Sequence, residues 1–397
     1  MRRLGLLLGL AACGATIASG CASSLDERAA DGGAGAADQT GAGATGAGGE
    51  LSGTGAASSV GTGASGGAGT GAGASGGGPQ DCSGGLASCS SGCVDLTADP
   101  KNCGECDKDC GTHPCHAAVC QTYESLASGQ GEARGLAVDA TSLYWTSAAN
   151  GTVMSMPKGG GAPTVIAAGQ SAPDTLAVDS TSVFWINGGD ATLMRAPIGG
   201  GAPVLVATDA GSGVAVDATS VYWTSLWDEV MKAPLGGGSP VTVASAPDAQ
   251  KLAVEGGWVY FTSSGLDGIE VLRVPTGGGV PQLLGQSSGP AFVPALAVGA
   301  GWVFWADGDR LLKVPLAGAA QPETVATAFG LWQVALDATS VYWGTDGGMH
   351  LMKAPVDSAA AATLATAFAE PVTEIAVDAS WVYWTSYGAG QILRAPK

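Results

Sequence analysis

Histidine is almost missing from this 397-residue chain, with three in all, at positions 113, 116 and 350. No Ser-His-Asp set can be assembled from them. No G-x-S-x-G elbow, H-E-x-x-H pair or EF-hand loop occurs either. Basic residues are also scarce: 16 Lys and Arg stand against 34 Asp and Glu, for a net charge of −18. A chain this acidic, without basic runs, excludes nucleic acid or an anionic lipid surface as its main partner. Asp307-Gly308-Asp309 has too few oxygen ligands for calcium and reads as a turn between strands. No cofactor and no metal are expected.

What the chain does have is repetition. Leu136-Ala137-Val138-Asp139, a short turn, and Leu143-Tyr144-Trp145-Thr146 form the first copy of a unit that recurs seven times. Its aromatic core returns as Val183-Phe184-Trp185, Val221-Tyr222-Trp223, Val259-Tyr260-Phe261, Val303-Phe304-Trp305, Val341-Tyr342-Trp343 and Val382-Tyr383-Trp384. The spacings are 40, 38, 38, 44, 38 and 41 residues, the period of propeller blades. Each copy reads as four short strands. The third ends at a proline, which has no N–H to donate, and a Gly-rich turn precedes the fourth. A four-stranded unit with two apolar faces cannot bury them alone, so the copies must stack radially. The fold class is all-β, a seven-bladed β-propeller.

Two periodic polar positions accompany the repeat. Asp139, Asp179, Asp217, Asp337 and Asp378 end the first strand of their copies and are expected to fold their own turns. Arg195, Lys232, Arg273, Lys313, Lys353 and Arg394 share one position in the third strand. They are expected to lay their stems over apolar surface, with the head at a carboxylate or water. The seventh copy lacks a fourth strand. Residues 123–130 resemble the fourth strand of the first copy and should close the last blade from the N-terminal side.

The triplets Tyr144-Trp145-Thr146, Tyr222-Trp223-Thr224 and Tyr383-Trp384-Thr385 resemble the YWTD-type and related lyase-like or NHL-like seven-bladed propellers. Ser147, Ser225 and Ser386 stand where the YWTD pattern has Asp. The resemblance implies a fold that hosts many unrelated activities.

Four regions follow. Residues 1–20 read as a lipoprotein signal peptide, with Met1-Arg2-Arg3, an apolar stretch, and Ala18-Ser19-Gly20-Cys21 resembling a bacterial lipoprotein processing site. Cys21 is the expected lipidation site; Cys13 is the alternative. Residues 21–80 are a Gly/Ala/Ser-rich tether that cannot offset its own ordering entropy. Residues 81–120 hold Cys82, Cys89, Cys93, Cys103, Cys106, Cys110, Cys115 and Cys120, read as four disulfides of open pairing. A zinc site from Cys103 and Cys106 with His113 or His116 is the rival reading. The run from Cys93 to Cys106 resembles the cysteine module of stigma-specific-like proteins, which implies an exported protein of myxobacterial type. Residues 121–397 form the propeller.

The functional expectation is a non-catalytic binding or scaffold lipoprotein of the cell envelope. It would be monomeric, held by its lipid alone at the outer membrane or cell surface, and would recognise a protein or glycan. The recognition face carries the links between copies, with Phe292, Phe329, Trp332 and Phe368, and the turns between second and third strands, with Trp227, Asp228, His350 and Tyr387. The alternative is a lyase-like or hydrolase-like propeller enzyme using His350 with a nearby Asp or Glu for acid–base work.

Overall fold

The computed structural model describes residues 86–397, except 90, 91, 97, 98, 100, 104, 111–114, 117, 118, 121, 122, 266, 267, 289–294, 319, 320, 332, 346–349, 366–370 and 389. The signal peptide, Cys13, Cys21, the tether and Cys82 lie outside the described residues.

Seven four-stranded antiparallel sheets make up the propeller. The first is formed by Ala133–Val138, Ser142–Ser147, Thr152–Pro157 and Thr164–Ala167, from innermost to outermost. Each third strand ends on its proline, at 157, 197, 234, 275, 315, 355 and 396. The seventh sheet is Val372–Val377, Trp381–Ser386, Gln391–Pro396 and, as its outer strand, Glu124–Ala127. Its register pairs Leu393 with Ser125 and Arg394 with Glu124. The Arg394 guanidinium also donates to Glu124 Oε2 at 2.7 and 2.9 Å. The N-terminal segment therefore closes the last blade, as the missing fourth strand implied.

The aromatic pair in each second strand explains how blades hold one another. Neighbouring residues of a strand point to opposite faces. Tyr144 therefore faces blade two and packs with Trp185, while Trp145 faces blade seven and packs with Tyr383. The same exchange joins Phe184 to Trp223, Tyr222 to Phe261, Tyr260 to Trp305, Phe304 to Trp343, and Tyr342 to Trp384. Seven interblade cores thus form an unbroken circle. Each of these rings is at most 2% exposed, and burying one contributes about 1.5–3 kcal/mol.

The repeated aspartates fold their turns as expected. Asp139 Oδ1 accepts the amides of Thr141 and Ser142, both at 2.7 Å, and its Oδ2 accepts the Tyr144 hydroxyl at 2.8 Å. Burial alone would raise the Asp139 carboxyl, but these hydrogen bonds outweigh it and hold the group below the usual range. Asp217, Asp337 and Asp378 take the hydroxyls of Tyr222, Tyr342 and Tyr383 in the same way.

The periodic cations differ from expectation. Five of the six heads reach main-chain carbonyls of the next blade, while Lys353 Nζ lies 5.8 Å from the Tyr342 ring centre. Lys232 Nζ donates to Thr276 O at 2.6 Å, Arg273 Nη1 to Leu316 O at 2.5 Å, Lys313 Nζ to Val356 O at 3.0 Å and Arg394 Nη1 to Lys158 O at 2.7 Å. Arg195 reaches Leu235 O likewise. Every acceptor is the residue after the third-strand proline, so these cations fasten adjacent blades. Carboxylates join only some of them, as with Glu124 at Arg394 and Glu323 at Lys313.

Before the propeller, two short hairpins carry the cysteine module: Ala87–Cys89 with Gly92–Val94, and Cys115–His116 with Val119–Cys120. Disulfides join Cys89 to Cys106, Cys103 to Cys115 and Cys110 to Cys120. Cys93 is disulfide-bonded as well. The sequence left these pairings open, and none of the three joins the two strands of one hairpin.

Candidate functional site

The inner strands converge on the propeller axis, and most of them share an irregularity there. Register shifts mark bulges between Ala133 and Leu136, Pro173 and Leu176, Ala210 and Val214, Ala249 and Leu252, and Val372 and Glu374. A bulge leaves amides outside the ladder and re-aims the side chain it carries. The threonine of the second strand takes up those amides. Gly135 N donates to Thr146 Oγ1 at 2.9 Å, Gly213 N to Thr224 Oγ1 at 3.0 Å and Lys251 N to Thr262 Oγ1 at 3.1 Å. The hydroxyl in turn donates a hydrogen bond to the neighbouring blade: Thr146 to Asp174 O, and Thr385 to Arg134 O at 3.1 Å. The third residue of the Tyr-Trp-Thr triplet thus shapes the channel wall.

The station just before the repeated Leu, Val or Ile lines a cavity of about 130 Å³ on the axis. Gly135, Thr175, Gly213, Lys251, Gln333 and Glu374 face it from six blades. At Gly135 a Cβ would stand 2.4 Å from Asp174 O, so the close approach of the next blade requires glycine there. Lys251 and Glu374 are the charged pair of the cavity. Protein surrounds Glu374, and only its edge meets channel solvent. Burial pushes its carboxyl up to about 7; the Lys251 ammonium opposes this and the Asp174 carboxylate adds to it. A carboxyl that changes charge near neutrality, with a cation facing it, is equipped to give and take protons.

One residue nearer the surface, Arg134 marks the channel mouth. Its Nη2 lies 3.2 Å from Glu132 Oε2 and its Nη1 3.6 Å from Asp174 Oδ1. The guanidinium carbon sits 5.7 Å from the Tyr387 ring centre, and Nε is buried without a partner. Of the residues expected on the recognition face, Tyr387 therefore stands at the mouth. Links and turns do share this face: Gln130 N donates to Gly390 O, Gly188 N to Ala172 O and Leu226 N to Asp209 O. Trp227, 70% exposed, projects from the turn of blade three. Asp228 adopts φ 60° and accepts the Asp248 amide at 3.0 Å, which makes it a turn residue. His350 begins the third strand of blade six, paired with Thr345, and is not part of the cavity wall. Phe292, Trp332 and Phe368 lie outside the described residues, as does the side chain of Phe329.

Glu374, Lys251, Gln333 and Arg134 escaped sequence reasoning. A signal existed: at the station before Leu-Ala-Val-Asp the copies read Gly, Thr, Gly, Lys, Ala, Gln and Glu, while the positions that follow it repeat. Among metal-ligand types, Cys103, Cys110 and Cys120 bring their sulfurs within 4.8 Å of one another. That set could hold a metal ion only once reduced, because all three are engaged in disulfides.

No family model matches the chain, and no curated protein matches it. Solved structures do. Streptogramin B lyase is similar at 11% identity and a TM-score of 0.59, over 68% of this chain and 96% of the lyase. Virginiamycin B lyase from Staphylococcus aureus is similar at 10% identity and a TM-score of 0.57, over 69% of this chain and 98% of that one. U3-55K is similar at 13% identity and a TM-score of 0.57, over 70% and 98%. The chain shares its fold with lyases. At such identities the likeness establishes the seven-bladed propeller and leaves the YWTD, NHL and myxobacterial-lipoprotein assignments without support. It also corrects the expectation of a non-catalytic protein. Two structures matched over almost their whole length are lyases, and three sulfurs that could ligate a metal once reduced lie together.

Proposed function

We propose that this chain is a propeller enzyme of the lyase or hydrolase type, with its reaction centre in the axial cavity and Glu374 as acid–base group. The observation that carries this reading is the meeting of Glu374 and Lys251 in one small polar cavity on the axis of an otherwise repetitive ring. In an elimination, ionised Glu374 would take the proton from a carbon next to a carbonyl. The Lys251 ammonium would stabilise the charge that develops, and the electron pair would expel the leaving group. At about 130 Å³ the cavity is smaller than the roughly 300–1,000 Å³ of pockets that enclose whole ligands. It suits the reacting end of a larger substrate lying across the mouth, where Tyr387, Arg134 and the exposed Trp227 supply stacking and polar contacts. A glycan or protein of the cell envelope fits that presentation. Lipidation at Cys21, with the propeller held outward at the outer membrane or cell surface, belongs to the same proposal.

Turnover should be screened on streptogramin B, glycans and ester-linked peptides with wild type, Glu374→Gln and Lys251→Met. Both variants should lose at least about a hundredfold in kcat/KM, the low end of general acid–base contributions. Wild-type activity by elimination should rise with pH through about 7, where Glu374 ionises. A substrate turned over equally well by Glu374→Gln refutes the assignment.

A further inference from the structure

A groove of about 730 Å³ lies between blades two and three, beside the turn at Ser180 and Thr181. Asp179 and Arg195 line it from blade two, Asp217 and Leu235 from blade three. Its size falls within the roughly 300–1,000 Å³ of pockets that take whole ligands. The other seams show what normally occupies these stations. Asp139, Asp217, Asp337 and Asp378 each accept a tyrosine hydroxyl of their own blade on Oδ2. Two of them also take a lysine that follows the third-strand proline of the next blade. Lys158 Nζ donates to Asp378 Oδ2 at 2.8 Å and Lys397 Nζ to Asp337 Oδ2 at 2.5 Å. Asp179 has neither donor, because Phe184 stands at the tyrosine station and Leu235 at the lysine station. Its Oδ1 folds the turn, accepting the amides of Thr181 and Ser182 at 2.6 and 2.8 Å. Among the described residues nothing donates to its Oδ2.

Arg195 departs from its equivalents in the same groove. Arg273, Lys313 and Arg394 stand 4.2–4.3 Å from the ring centres of Trp258, Trp302 and Trp381. The outer strand also brings Gln282, Glu323 and Glu124 to them. In blade two those stations hold Ser182 and Val204, which offer neither a ring nor a carboxylate. Among the described residues only the Leu235 carbonyl takes a hydrogen bond from Arg195, and a guanidinium has five N–H groups. A carboxylate and a guanidinium, both half-buried, thus share one groove without pairing with each other. We propose that this groove binds a zwitterion, an amino acid or short peptide with free ends. Its ammonium group donates to Asp179 Oδ2, as Lys158 and Lys397 do in their seams, and its carboxylate takes the remaining N–H groups of Arg195. The site is separate from the axial cavity and does not depend on the proposed activity.

The test is calorimetric titration of the full-length protein with glycine, diglycine and triglycine, each also in N-acetylated and in C-amidated form. Saturable binding of at least one unblocked probe is expected. Either block should weaken it about tenfold, which is about 1.4 kcal/mol. Asp179→Asn should lose the penalty for acetylation and keep the penalty for amidation; Arg195→Gln should do the reverse. Leu235→Lys brings an ammonium to Asp179 from within the chain and should abolish the preference for a free amine. The best-bound length assigns an amino acid or a peptide, and any of the three supports the site. No saturable binding of any unblocked probe overturns it. So does equal affinity for free and blocked forms, or unchanged affinity in both Asp179→Asn and Leu235→Lys.

Discussion

Replacing Glu374 with glutamine should make the propeller more stable at alkaline pH and leave it unchanged in acid. In the folded chain the Glu374 carboxyl is raised from its ordinary 4.5 to about 7, chiefly by burial, with Asp174 adding and Lys251 opposing. Between those two values the native state holds a proton that the unfolded chain has released. Stability therefore falls as pH rises through this window and levels off above about 7. The gap corresponds to at most about 3 kcal/mol, and channel water at the edge of the carboxyl reduces it to about 2 kcal/mol. Glutamine keeps the shape and never ionises. At pH 8.5 the variant should melt about 4–8 °C above wild type, taking about 2–4 °C per kcal/mol for a domain of this size. At pH 4 the two melting temperatures should coincide. Scanning calorimetry of both proteins across that range isolates this one group, because all other carboxyls cancel in the difference. Parallel curves at every pH would refute the placement of an ionisable carboxyl in a desolvated cavity.

Lys313→Met should cost about 2–3 kcal/mol, since it leaves the Val356 carbonyl without its donor at a seam where Lys313 is 5% exposed; urea unfolding measures this, and a loss below 0.5 kcal/mol would show the fastening to be incidental. Tyr144→Phe should cost about 1 kcal/mol through the lost bond to Asp139, whereas Phe184→Tyr in blade two should recover a similar amount from Asp179. Acid should weaken the ring through Asp378, held down to about 2: despite burial, bonds from Lys158, the Ser380 and Trp381 amides and Tyr383 keep it ionised. Its stabilising contribution is complete above the ordinary 3.8 and disappears as pH falls toward 2, which Asp378→Asn should flatten in an acid titration. Intact mass of membrane-extracted protein should show a lipid on Cys21; cleavage elsewhere, or lipid on Cys13, contradicts the anchor.

The architecture was legible because seven copies constrain one another. Positions that repeat, such as Asp139 and its equivalents or the Val-Tyr-Trp strands, answer needs every blade has. Even the hydrogen bond between Asp and the tyrosine five residues later leaves a trace, since blade five lacks both partners, with Gly299 and Phe304. The cations at Lys232 and its equivalents were misread because charge is visible in a sequence and a carbonyl acceptor on the next blade is not. Glu374 and Lys251 were missed for the opposite reason. They occupy a station where the copies disagree, and only the meeting of the inner strands at the axis shows that the disagreement faces a shared cavity. In a repeat protein the departures from the consensus deserve the functional reading.

The closing strand has a consequence for how the chain reaches its native state. Glu124 and Arg394 pair across 270 residues, a separation that makes this contact among the slowest to form. During synthesis the segment Glu124–Ala127 emerges early and has no sheet to join until Gln391–Pro396 follows. Six blades can assemble in order behind it while the seventh waits. A product interrupted before residue 391 would leave that outer strand unpaired and the faces of the first and last blades open to proteases. The ring therefore acts as a completeness check: only a chain translated through its final repeat can shut.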